Sequence, residues 1–170
     1  AGWEVDSKSL RYSLGVRPSS SRNLAIAEWP TESGPADYAL FAGEQLVGIV
    51  EAKRRNTNAQ AALTQAERYA CSIALPPEHL SGGAPWAAFS VPFVFSTNGR
   101  PFLNQLRSLS GIWFRDARDT KNLARPLSAW PTATGLLQQL RLDRAAAQLD
   151  LSSRGFDFGF ALRPYQKAAI

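Results

Sequence analysis

The segment Ala36-Asp37-Tyr38-Ala39-Leu40-Phe41-Ala42-Gly43-Glu44-Gln45-Leu46-Val47-Gly48-Ile49-Val50-Glu51-Ala52-Lys53 decides how this chain folds. Two short apolar runs flank a break that holds Gly43, which reads as a β-hairpin. Side chains on a strand alternate between faces, so the second run places Val47, Ile49, Glu51 and Lys53 on one side. An apolar face that ends in Glu-x-Lys carries charges where charges need a partner or a task. The length of the turn determines whether Asp37 joins them. A three-residue turn, Gly43 to Gln45, sets Asp37 opposite Glu51; a two-residue turn sends it to the other face. We expect the odd turn, because it brings two carboxylates and a lysine together.

After the hairpin, Lys53-Arg54-Arg55 is a basic cluster. Thr57 or Asn58 can cap a helix from Ala59 to about Leu75, stopped by Pro76-Pro77. Leu63, Ala66, Ala70, Ile73 and Ala74 repeat at helical spacing and form its apolar face, with Cys71 near it as a small core residue. Gln65 and Tyr69, four apart, are neighbours on a flanking stripe. Before the hairpin, Leu24 to Trp29 reads as a strand broken at Pro30, and Trp3 and Val5 as an edge strand. Beyond the helix, Phe89 to Ser96 reads as a buried strand followed by a Thr97-Asn98-Gly99 turn. Phe102 to Leu106 is ambiguous, and Gly111 to Asp116 is a further strand. Leu136 to Leu149 has helical periodicity and many charges, which suggests an exposed helix. Leu162 to Ile170 opens another helical pattern.

Composition sets the outer limits. The 170 residues, 45% hydrophobic and 19% charged, suffice for one globular domain and a piece of a second. A net charge of +5, from 19 Lys and Arg against 14 Asp and Glu, permits a polyanionic partner. Cys71 stands alone, which excludes an intramolecular disulfide and suits a reducing cytoplasm. His79 also stands alone, which excludes a His-rich zinc site. No stretch is long and apolar enough to act as a signal peptide or membrane span, so no membrane partner is expected. Both ends fall inside apparent elements, and we expect a fragment of a larger protein.

The charged strand tip has a definite chemistry. Asp37 and Glu51 would make an oxygen-only site, suited to Mg2+ or Mn2+, with the Ala52 carbonyl as a further ligand. Lys53 would sit beside a scissile phosphate, orienting the nucleophile and offsetting negative charge. Arg54 and Arg55 would meet neighbouring phosphates without reading sequence. Simpler readings stand beside these. Glu51 and Lys53 could be a solvated strand end, Gln65 an exposed side chain and Tyr69 a residue at the core rim. Glu28 could be a third acid, although a structural role is the simpler one.

The same residues resemble a known family. Ala1-Gly2-Trp3 with Asp6-Ser7-Lys8, Ile26 to Thr31, Ala36-Asp37-Tyr38, Val50 to Arg54, Phe95 to Arg100 and Gly111 to Asp116 follow one another in its order. They are similar to the amino-terminal nuclease region of the motor-and-cleavage (R) subunit of type I restriction-modification enzymes, within the PD-(D/E)xK superfamily. The resemblance implies an α/β fold: a restriction-endonuclease-like central mixed β-sheet flanked by helices. It implies Asp37, Glu51 and Lys53 as the catalytic residues, with Asp37, Glu51 and the Ala52 carbonyl on the metal. Ala36 stands where the superfamily's name has proline. Gln65 and Tyr69 match its Q-x-x-x-Y motif, which implies DNA contact and positioning of the lysine rather than chemistry. Leu162-Arg163-Pro164-Tyr165-Gln166 resembles the opening of a superfamily 2 helicase motor, where Gln166 would read adenine.

The resemblance therefore implies an endonuclease domain over residues 1–125, a helical link over 126–160 and the start of a translocase over 161–170. Double-stranded DNA would be the substrate and Mg2+ or Mn2+ the cofactor. ATP and S-adenosylmethionine would serve only the full complex, alongside modification and specificity subunits in a bacterial or archaeal cytoplasm. Two alternatives remain: a stand-alone repair or resolvase-like nuclease, and a non-catalytic DNA-docking module. The Gln166 segment argues against the first and an intact Asp37, Glu51 and Lys53 against the second.

Overall fold

A computed structural model of the chain describes residues 1–141, together with Leu149 and Arg163. Residues 1–140 form one compact unit built on a seven-stranded sheet. The strands are β1 (Glu4–Val5), β2 (Asn23–Trp29), β3 (Ala36–Ala42), β4 (Gln45–Ala52), β5 (Phe93–Thr97), β6 (Ile112–Asp116) and β7 (Arg125–Leu127). Their order in the sheet is their order in the sequence. Most neighbours are antiparallel, but β1 runs parallel to β2 and β4 parallel to β5. The β4–β5 pair needs a crossover, and helix α1 (Ala59–Cys71) supplies it. The architecture is the expected one: α/β, with a mixed sheet flanked by helices.

The hairpin differs from expectation in a way that preserves the outcome. Ala42 pairs with Gln45, so the turn is the two-residue Gly43-Glu44 and not the three-residue one. Gly43 has φ of 62°, the left-handed geometry that tight hairpin turns demand. By itself this register would send Asp37 away from Glu51. One extra residue on β4 corrects it: Phe41 pairs with Leu46, but Leu40 pairs with Gly48. That is a β-bulge, and it restores the parity the turn lacks. Tyr38 then pairs with Val50, and the same register carries Asp37 to Glu51. The bulge also moves Val47. It packs with Leu40, Val50 and Phe95, on the face opposite Leu46 and Ile49, so Val47 does not share the face of Glu51 and Lys53. Gly48 follows on that crowded side. A Cβ there would lie 3.0 Å from the Phe95 ring and 3.3 Å from the Phe93 carbonyl oxygen.

Two apolar layers sandwich the sheet. Leu24, Ile26, Phe41, Ile49 and Val94 pack against Leu63, Ala66, Tyr69 and Ala70 of α1. On the other face, Leu40, Val47, Phe93, Phe95 and Phe114 pack against Ala133 and Leu136 of α2 (Ala133–Arg141). Asn58 caps α1 by accepting from the Ala61 amide at 2.9 Å. The helix stops at Cys71, short of the expected Leu75, and Ile73 instead forms an isolated bridge with Thr31. Cys71 is exposed rather than in the core, because Ala66, Tyr69 and Ala70 occupy the inward arc and Cys71 lies outside it.

Elsewhere β5 starts at Phe93, since Pro92 lacks the amide a ladder needs. The ambiguous segment near Phe102 contains a 3-10 turn, Asn104–Leu109. Helix α2 begins at Ala133, and Leu136 is buried rather than exposed. No helix among the described residues is long and apolar enough to cross a membrane.

Candidate active site

The parallel pair β4–β5 sends two carboxyl ends to the same edge of the sheet, with Glu51 beside Ser96 and Ala52 beside Thr97. Side chains at such ends converge on a shared crevice. Glu51 is 2% exposed. Its Oε1 meets Lys53 Nζ at 2.5 Å, while Oε2 is buried and accepts no hydrogen bond among the described residues. Asp37 comes from the antiparallel neighbour β3, and its Oδ2 accepts from the Ala52 amide at 2.7 Å. Burial pushes the Glu51 carboxyl above the usual range. Lys53 pulls it down and the nearby Asp37 carboxyl pushes it up, leaving a net rise.

The helix beneath supports the lysine. Lys53 Nζ donates to Gln65 Oε1 at 2.8 Å, and Gln65 Nε2 donates to the Tyr69 hydroxyl at 2.6 Å. Tyr69 is buried, so the chain Glu51–Lys53–Gln65–Tyr69 runs from the sheet edge into the core. One bond fixes α1 against the strands, Ser96 Oγ donating to the Ala59 carbonyl at 2.6 Å, and another extends the β4–β5 ladder past Ala52, the Lys53 amide donating to the Thr97 carbonyl at 2.7 Å. The reading of the sequence missed Ser96. Its signal is a small hydroxyl inside the otherwise apolar run Val94-Phe95-Ser96, where a buried polar atom requires a partner.

The geometry thus gathers Asp37, Glu51, Lys53, Gln65 and Tyr69. Arg54 and Arg55 follow directly and are exposed. Glu28 is not part of the cluster; it has a positive φ of 54° and forms an ion pair with Arg11. His79 packs edge-on to Phe41 instead. Gln166 lies outside the described residues.

The donor set fits a hard divalent cation. Among the described residues no three His, Cys, Asp or Glu side chains cluster, so the protein offers two carboxylates and the backbone. A buried carboxylate oxygen lacking a partner is costly unless a cation or hydrogen-bond donor meets it. Oxygen donors alone select Mg2+ or Mn2+ over soft metals. Such a site can hold one cation between two acids and present an ammonium group beside it.

Comparison with known proteins gives the family. A family model described as the second domain of the type I restriction enzyme EcoKI endonuclease subunit matches residues 4–140. The type I restriction enzyme EcoKI endonuclease subunit of Escherichia coli (strain K12) is 38% identical over an alignment of 198 positions. That alignment takes in 100% of this chain and 17% of the relative's length. No solved structure matches the chain.

Proposed function

The chain belongs to the type I restriction enzyme endonuclease subunit family, and from that premise we propose that it is a magnesium-dependent domain that hydrolyses phosphodiesters of double-stranded DNA. The observation that carries the reading is the convergence of Asp37, Glu51 and Lys53 at one sheet edge, with Glu51 Oε2 buried and accepting no hydrogen bond among the described residues. Asp37 and Glu51, with the Ala52 carbonyl, would hold the cation. When bound, Mg2+ would polarise the scissile phosphate and offset its developing charge. The Lys53 ammonium would donate to a phosphoryl oxygen and orient the attacking water. Gln65 fixes the lysine's position through its side-chain oxygen, and Tyr69 fixes Gln65. Arg54 and Arg55 would hold adjacent phosphates.

In the whole protein, the stretch 126–160, of which residues 126–140 pack into the compact unit, would lead on to an ATP-driven translocase beginning near residue 161, with Gln166 at its nucleotide. Modification and specificity subunits would read and methylate the target, with S-adenosylmethionine as methyl donor. The assembly would work in the cytoplasm. A Mg2+ titration of plasmid cleavage tests the domain. Asp37→Ala and Lys53→Ala should each reduce cleavage at least about 100-fold, the usual cost of losing a transition-state donor. Wild-type cleavage by Lys53→Ala, in a full assembly that still translocates, would remove the catalytic assignment.

A further inference from the structure

Two loops emerge side by side at the site because the strands before them are parallel neighbours. One follows β4 and carries Lys53, Arg54 and Arg55; the other follows β5 and carries Arg100 and Arg107. Neither 52–66 nor 97–111 contains an Asp or Glu. Asn98 joins them. It is 4% exposed, and its Nδ2 lies 3.1 Å from the Arg55 carbonyl, 2.9 Å from that of Thr57 and 2.8 Å from that of Leu109. Its two amide hydrogens are thus shared among three carbonyl oxygens, two on the first loop and one on the second. A second tie crosses the same gap: Arg100 Nη2 donates to Asn56 Oδ1 at 2.6 Å. Asn56 is neutral, so this bond holds the guanidinium in place without cancelling its charge.

Four other arginines are used differently. Arg11, Arg22, Arg115 and Arg118 are each paired with a carboxylate, to Glu28, Glu4, Glu67 and Asp116. Arg54, Arg55, Arg100 and Arg107 form no ion pair among the described residues. Unneutralised guanidinium groups on loops tied to one another make a built anion surface, and their sequence-independent partner is a polyphosphate backbone.

We propose that Arg100 and Arg107 join Arg54 and Arg55 in one clamp on the backbone of duplex DNA, contributed by two loops fastened together through Asn98. The proposal rests on the nuclease reading only for the identity of the polyanion. Lys53 would face the bond to be cut, and the clamp would grip phosphates beside it.

The test is equilibrium binding of the protein to short duplexes of two unrelated sequences, without divalent metal, over a series of salt concentrations. Arg100→Ala should weaken binding equally on both sequences and flatten the slope of log K against log salt by about 0.9, the counterion release of one phosphate contact. Arg107→Ala should do the same, and Arg100→Lys should keep the slope. Arg22→Ala, at the hairpin-turn end of the strands, should also keep it. A wild-type slope in Arg100→Ala overturns the clamp, as does a loss confined to one sequence, which would mean base reading. The two readings fail separately. Cleavage by wild type with unchanged slopes in both arginine variants removes the clamp alone. Flattened slopes without any Mg2+-dependent cleavage remove the nuclease alone.

Discussion

Replacing Glu51 by glutamine should make the metal-free protein more stable. Glu51 is 2% exposed, one oxygen is held by Lys53 at 2.5 Å and the other has no partner among the described residues. An unmet buried acceptor costs about 1–3 kcal/mol, and the lysine offsets part of it. Glutamine keeps an acceptor for Lys53 and turns an N–H donor toward the Asp37 side. A net gain of about 1 kcal/mol at neutral pH follows, or a rise in Tm of about 2–4 °C for a chain of this size. The sign depends on pH. Burial raises the folded carboxyl above 4.5, its ordinary value, so the native state binds the proton more tightly than the unfolded chain. Below pH 4.5 the wild type has the full benefit of protonated Glu51 and the variant little advantage. As pH rises through the folded value the wild type loses that benefit and the glutamine variant gains on it.

Mg2+ should reverse the order. At ten times its dissociation constant a bound cation stabilises by about 1.4 kcal/mol, and the glutamine variant forfeits most of that. Thermal unfolding at pH 4.5 and 7.5, with and without Mg2+, measures both effects. A variant less stable than wild type without metal at pH 7.5, or an advantage independent of pH, would refute the reasoning.

Tyr69→Phe should leave Gln65 without its hydroxyl partner and cost about 1 kcal/mol in urea unfolding, with a several-fold loss in kcat as Lys53 loosens. Gly48→Ala should destabilise by about 1–3 kcal/mol in the same assay, because its new methyl meets Phe95, Leu40 and the Phe93 carbonyl at once. Asp116→Asn should cost about 3 kcal/mol at pH 7, since it strips the carboxylate from the largely buried Arg118. Burial pushes the Asp116 carboxyl up, but Arg118 and Gln139 outweigh that and hold it below 3.8. Its contribution is therefore present above pH 3.8 and lost as pH falls through the folded value, so the gap between variant and wild type should narrow only in strong acid.

Much of the site was legible because its residues are close in sequence and alternation is local. Glu51 and Lys53 share a face by strand periodicity, and Gln65 and Tyr69 share one by helical periodicity. The Asn58 cap and the strand–helix–strand order of β4, α1 and β5 followed from similarly short-range signals. What could not be read depended on contacts distant in sequence. The bulge at Val47 is fixed by packing against Leu40 and Phe95, not by any local turn signal. The end of α1 is set by the bridge from Ile73 to Thr31. The burial of Leu136 needs the second face of the sheet, and the cost of a buried Ser96 hydroxyl becomes visible only beside the Ala59 carbonyl.

The hairpin gives an unusual rule for altering this protein. Fourteen positions separate Asp37 from Glu51, an even count that a two-residue turn accommodates only because one residue of β4 is left unpaired. Val47 is the residue left unpaired, so deleting it alone should keep every observed pair and leave Asp37 opposite Glu51, in a hairpin without its bulge. Engineers grafting a longer tip here should therefore preserve the strand pairing rather than any residue count, and judge success by whether a cation still binds rather than by whether the chain still folds.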